Sequence, residues 1–234
     1  MASGIVIAAN LPGLLQLASA ALPIGAFSHS LGLEAAVDAG VVHDAASAER
    51  WIGDHLELVW ARGEAPHWLG LHAAWELPLH NALMHSNDRV LATRESAELL
   101  QESTQTGHSL RLWLLALPEL TTLGADQRRV LQQLQPVAYL SVHALAARAL
   151  GLSAATGLHA LGWSLLENLG TAAVKLVPLG QTQGQALLRR LSLRLPAAID
   201  RAFDTPPNDA CNFAPMLAIR SAQHESQYSR LFRS

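Results

Sequence analysis

An all-α protein is the fold class this chain predicts, and three observations carry it. Leu and Ala, both strong helix formers, dominate the apolar runs. Gly and Pro punctuate those runs where helix ends are expected, and alternating Val/Ile/Thr patterns of the strand kind are nearly missing. With no internal repeat and no linker-like stretch, residues 1–234 read as one globular domain of about eight to ten helices.

The elements follow in order. Residues 11–22 form a first helix through Leu14, Leu15, Leu17, Ala18 and Ala21, stopped by Pro23 and Gly25. Ser28 and Ser30 offer N-caps to a helix over 31–39, which Gly40 ends. Asp44 or Ser47 caps the next segment, whose stripe includes Trp51, Ile52, Leu56, Val59 and Trp60. Helices then run over 65–84 and 87–105, the second with Arg89, Arg94, Glu95, Glu98 and Glu102 on its wet side. Residues 107–117 continue after a break, and Pro118 ends them. Pro136 divides or kinks 125–150. A buried helix spans 153–177, an amphipathic one 181–195, and Pro196 opens a short helix to Phe203. Residues 204–209 are a loop, and a last helix over 215–223 leads into the tail.

Composition limits function. Apolar residues make up 50% of the chain and charged ones 15%, against about 25% charged in an ordinary soluble domain. Part of the surface is therefore expected to be covered by protein, through self-association or partners. A net charge of −3 makes no case for nucleic acid or an anionic membrane. The single cysteine, Cys211, excludes an internal disulfide and fits a reducing compartment. The N-terminus lacks the basic region of a signal peptide. Residues 149–174 could pass for a membrane span, but glycines interrupt them and Glu167 sits inside, so a core helix is the better reading.

No catalytic residue is assigned. Gly180-Gln-Thr-Gln-Gly184 lacks the Lys-Ser/Thr of a phosphate loop, and neither Gly-x-Ser-x-Gly nor His-Glu-x-x-His occurs. The eleven histidines are scattered, and the pairs His67/His72 and His80/His85 stand five apart, which turns their rings about 140° from each other on a helix. No metal-ligand set is assigned either. His43-Asp44 resembles the core of the HD phosphohydrolases, and a helical HD-type metal-dependent phosphohydrolase is the alternative reading.

Ions in apolar company are more informative. Glu34, Glu167 and Lys175 each lie among Leu, Ala and Val, so each should be paired, snorkelling or facing a wet cavity. The plainer readings are an exposed acid for Glu34 and a helix C-terminal cation for Lys175. The last residues gather Tyr228, Leu231 and Phe232 at spacings that would share one face of a helix. Such a tail docks on its own body or on another protein.

Three ordered blocks resemble the UreF family of urease accessory proteins. The first is Leu15-Gln-Leu-Ala-Ser19 with Leu22-Pro-Ile-Gly25, Phe27-Ser28, Ser30 and Gly32-Leu-Glu34; the second is Val174-Lys-Leu-Val-Pro-Leu-Gly-Gln181. The third is His224-Glu-Ser-Gln-Tyr-Ser-Arg-Leu-Phe-Arg-Ser234, preceded by Phe213-Ala-Pro215. Thr93-Arg94-Glu95 to Gly107 matches less fully, with Arg94 and Glu95 assigned to a dimer or structural core, and Ala20 and Ala26 depart from the family's usual proline and glycine.

The resemblance implies a cytoplasmic homodimer with no catalysis and no cofactor of its own. Such proteins bridge UreD (UreH in some systems) and the GTPase UreG, and regulate GTP-dependent nickel delivery to apo-urease, with nickel in transit. It implies that Glu34, Lys175, Ser28, Ser30 and Gln181 face UreG or the metal's passage. It implies that Tyr228, Arg230, Leu231, Phe232 and Arg233 contact UreD. Residues 1–9 and 224–234 are then flexible or partner-docking termini. With the resemblance in view, docking of the tail on a partner is favoured over docking on its own body.

Overall fold

The computed structural model describes residues 2–76, 80–117 and 123–234, with backbone alone for 2–9. Those residues form helices and connecting turns, and no strand occurs among them. The helix α1 spans Ala2–Leu17, beginning earlier than expected and ending earlier too. It stops short because the Ser19 hydroxyl takes the Ala21 amide at 3.1 Å, offering the backbone an alternative to another helical turn. A short 3-10 turn at Ala26–Ser28 leads to α2, Leu33–Asp38. Neither serine is the N-cap: Gly32 holds that position, at φ +82° and without a side-chain cap bond, and Ser30 Oγ accepts the Glu34 amide at 3.2 Å from outside the helix. Gly40, at φ +69°, closes α2 in the left-handed conformation.

Asp44 and Ser47 form a reciprocal capping box on α3, Ala45–Asp54. That use of Asp44 decides against the phosphohydrolase dipeptide. Its carboxylate is 2.7 Å from the Ser47 amide and bonded to the Ser47 hydroxyl, which together hold it below the ordinary range. The helix continues without a break into a wider π-helical stretch, His55–Glu64, and then α4, Ala65–Ala74.

Next come α5, His80–Ala92, and α6, Ala97–Leu115. The expected break near Gly107 is absent and one appears at Thr93–Ser96 instead, where Ser96 Oγ caps the Leu99 amide. Gly107 sits inside α6 for packing. A Cβ there would lie 2.5 Å from the Val137 carbonyl oxygen and 2.8 Å from the Tyr139 nitrogen, so only glycine admits this crossing. The stop assigned to Pro118 lies outside the described residues.

The break at Pro136 is real: α7 covers Ala125–Gln133 and α8 Tyr139–Ala149, with a cis Gln135–Pro136 bond between them. Ser153 caps the buried helix α9, Ala154–Leu176. It lies at the centre of the bundle, packed on α1, α2, α3, α8, α10 and α11. Trp60 reaches it at Gly162, where a Cβ would lie 3.1 Å from the indole. Among the described residues no helix is long and apolar enough to cross a membrane. The bundle closes with α10, Gln181–Ser192, α11, Leu195–Asp204, and α12, Pro215–His224. Pro196 stands in the first turn of α11, as expected.

Candidate functional site

Beyond His224 the chain leaves the helix and runs over the body as an irregular strap. Tyr228, Leu231 and Phe232 therefore do not share a helical face. Tyr228 is fully exposed and Leu231 largely so, whereas Phe232 is 6% exposed and Ser234 fully buried.

Glu34 organises the seat. Its position in the first turn of α2, among Leu33, Ala35 and Ala36, buries it to 7% exposure. A carboxylate so placed needs several donors, and the tail supplies them. The Leu231 amide donates to Oε1 at 2.6 Å, the Phe232 amide to Oε2 at 2.8 Å, and His224 Nε2 stands 3.1 Å from Oε2. The other ring nitrogen of His224 is 2.6 Å from Glu98 on α6, which also receives Arg230 Nη1 at 2.6 Å. His224 is wholly buried and Glu98 9% exposed. The imidazole thus stands between two carboxylates from different helices.

Nearby, Glu225 accepts the Ala97 amide at 2.7 Å, placing a second carboxylate at the N-terminus of α6. The Ser96 and Ser221 hydroxyls meet at 2.7 Å. At its far end the tail is sewn to the loop before α2. The Arg233 amide donates to the Ser28 carbonyl at 2.8 Å, and the amide and hydroxyl of Ser30 both donate to the Ser234 main-chain oxygen at 2.5 Å. His29 Nδ1 lies 3.0 Å from Ser234 Oγ; burial, aided by the Arg233 cation, brings this imidazole down to about 4.

Lys175, exposed on the last turn of α9, places its ammonium 5.6 Å from the Phe232 ring centroid. It also lines a shallow groove of about 160 Å³ with Glu167, Thr171, Gln181 and Gln185. The structure so brings Glu34, Ser28 and Ser30 together beneath the tail, and Lys175 against its Phe232. Gln181 joins Lys175 on the groove, away from the Glu34 cluster. The sequence reading missed His224 as the partner of Glu34 and Glu98 as the partner of His224 and Arg230, and it placed Glu98 and Glu102 on a wet face that is in fact turned inward.

Behind the seat is a chamber of about 150 Å³. Its floor carries His55, Trp60, Glu64, Arg94, Glu102, Thr106 and Tyr139; its rim is formed by residues 19–31 and the start of α12. Arg94 pairs with Glu64. Burial alone would raise the Glu64 carboxyl, but the Arg94 guanidinium and His55 more than reverse this and hold it below the usual range. Glu102 has no such close partner; burial lifts it to about 7, and Arg94 offsets only part of that. Burial also raises the Tyr139 phenol and lowers His55 and His67, the latter to about 4. His55 Nδ1, Trp60 Nε1 and Arg94 Nε are buried without a protein partner, so water within the chamber is their natural complement. Among the described residues no group of three or more His, Cys, Asp or Glu is arranged to hold a metal ion.

Fold and site together define a helical protein whose polar groups are spent mainly on fastening one part of the chain to another. The comparisons make the class specific. The family model described as UreF matches residues 42–192. A urease accessory protein UreF from Cupriavidus necator is 48% identical over 229 residues, 96% of this chain and 98% of the relative. UreF proteins from Polynucleobacter asymbioticus and Cupriavidus metallidurans are 42% and 45% identical, again over 96% of this chain. The chain belongs to the UreF family of urease accessory proteins.

Proposed function

We propose that this protein acts in the cytoplasm as a non-enzymatic bridge in urease maturation. It joins UreD (or UreH) to the GTPase UreG as a homodimer, and so regulates GTP-dependent nickel delivery to apo-urease. Nickel is cargo in this reading, passed on and not kept. The observation that carries it is the division of the tail into two faces. Phe232 and the backbone at 231–234 are committed to the body, while Tyr228 and Leu231 are held outward as large apolar side chains. Exposed aromatic and aliphatic groups on a fastened segment form a preorganised contact, which costs little ordering on binding. Tyr228 and Leu231, flanked by Arg230 and Arg233, are assigned to UreD. The Lys175–Gln181 groove is assigned to UreG, with Glu34, Ser28 and Ser30 acting from beneath by holding the surface in shape.

Capture by purified partners tests the assignment. Tyr228→Asp is expected to abolish retention of UreD while retention of UreG persists, and Lys175→Glu to do the reverse. Retention of both partners by both variants removes these residues from the interfaces.

A further inference from the structure

The chamber is larger and more apolar than its polar atoms require. Three buried atoms lining it, His55 Nδ1, Trp60 Nε1 and Arg94 Nε, have no protein partner. About one to three waters would satisfy them. At about 10–30 Å³ per water, a space of about 150 Å³ holds on the order of five to ten. The surplus lies against Leu22, Ile24, Val59, Leu140, Leu161 and Leu217, all buried in the core. Water on such walls makes few hydrogen bonds, and an apolar group that displaces it gains affinity. A preformed, mostly apolar hollow with a few polar groups is the ordinary form of a small-molecule site.

The floor decides which head group fits. His55, Glu64, Arg94 and Glu102 lie close enough there to act on one another's charge. The Arg94 cation is already paired with Glu64. Its Nε–H remains, and this group can only donate. The Glu102 carboxyl also remains: it feels Arg94 at a distance and takes no hydrogen bond among the described residues. A carboxylate ligand is disfavoured, because Glu64, Glu95 and Glu102 line the chamber against one arginine. An ammonium is drawn to Glu102, but it has no lone pair for the Arg94 Nε–H and meets a like charge there. A primary carboxamide meets both demands without a charge. Its oxygen accepts and its nitrogen donates, and Glu102 keeps an acceptor oxygen whether ionised or protonated.

We infer that the chamber is a binding site for a small aliphatic carboxamide, its oxygen on Arg94 Nε, its nitrogen on the Glu102 carboxyl and its alkyl chain along the apolar wall of Ile24, Val59 and Leu161. The mouth stands open between residues 19–31 and α12, with Phe27 exposed at its edge. Entry therefore needs no rearrangement, and the site is preformed. Water displaced from the walls supplies the gain on binding, and the amide restores the hydrogen bonds that water made to the floor. The inference concerns one chain and stands whether or not the partner assignments above hold.

Ligand-observed NMR titration of the full chain tests it with pentanamide, pentanoate and pentylammonium, which share an alkyl chain and differ in the head. Pentanamide should bind with a dissociation constant of about 1 mM or tighter. The two ions should bind at least about tenfold more weakly, since each leaves a floor group unpaired or facing a like charge. Arg94→Lys puts a methylene in place of Nε and keeps a cation for Glu64. It should weaken pentanamide by about fivefold or more, the loss of one hydrogen bond to a charged donor. No saturable binding of pentanamide, equal affinity for all three compounds, or a pentanamide affinity unchanged by Arg94→Lys would each overturn the inference. Should Arg94→Lys lose its helical circular dichroism, Glu102→Leu removes the acceptor instead and is read in the same way.

Discussion

Glu34 and His224 lie 190 residues apart in the chain, yet Nε2 of the imidazole stands 3.1 Å from a carboxylate oxygen of Glu34 inside the protein. The pairing joins the second helix to the last one and turns a soft terminus into part of the body. Its consequences are measurable.

Replacing Glu34 with Ala removes the acceptor of two tail amides and one of the two partners of His224, leaving buried donors unsatisfied. Loss of one member of a buried charged cluster costs about 3–5 kcal/mol; relaxation of the tail toward water should bring this to the lower end. Glu34→Gln keeps an oxygen for one tail amide and should cost about half as much. Equilibrium urea unfolding measures both, and an unchanged midpoint for the Ala variant would show that the tail contributes nothing to stability.

Tyr228 and Phe232 should part company. Phe232 is packed against the core with Lys175 beside it, so Phe232→Ala should cost about 3 kcal/mol. Tyr228, fully exposed, should change stability by less than about 0.5 kcal/mol when replaced by Asp. The same substitution should abolish UreD capture. Thermal unfolding and partner capture on the same preparations separate fastening from recognition. Equal stability losses in the two variants would refute the two-faced tail.

Much of this arrangement is written locally, and the rest is not. Asp44 before Ala45, Ser153 before Ala154 and Pro196 in the first turn of α11 announce their helix ends through short-range chemistry, and those ends fall where expected. Gly107 misled because its glycine serves a neighbouring helix, a demand invisible along one strand of sequence. Glu34 and Lys175 stood out as ions in apolar company, and the tail as an aromatic cluster. Their relationship did not, since Glu98, 126 residues before His224, carries no local mark of it. Glu98 and Glu102 stand four apart on α6, which identifies a polar stripe. Periodicity cannot say whether such a stripe faces water or other charges; here it faces His224, Arg230 and a chamber.

The Gly107 crossing sets two effects of opposite sign against each other. In a free helix Gly→Ala stabilises by about 0.5–1 kcal/mol. At this position the methyl would press into backbone atoms of 137–139 at distances no Cβ tolerates. Backbone cannot swing aside as a side chain can, so overpacking of about 1–3 kcal/mol should win. Gly107→Ala is therefore expected to lower stability, and a gain in the urea midpoint would mean that α6 and α8 do not meet as described.

Glu102 gives the protein a pH dependence whose sign is fixed. Its carboxyl is raised from the ordinary 4.5 to about 7 by burial in the chamber floor. Between those values the folded protein keeps a proton that the unfolded chain has lost, so stability falls as pH rises through this window. Below it both states are protonated and above it both are ionised, so the penalty is constant at either side. His29, His67 and His143 act in the opposite sense. Burial brings them to about 4, 4 and 3 from 6.5, so they cost stability as pH falls through that range. The total profile therefore mixes both trends, and the difference between variant and parent isolates the acid. Glu102→Gln, neutral at every pH, should gain on the parent by on the order of 2 kcal/mol between pH 4.5 and 7, then stay level. Urea unfolding of both proteins at half-unit steps measures the difference. A flat difference across the window would mean that Glu102 ionises in the folded chamber as freely as in water, with Arg94 compensating its burial in full.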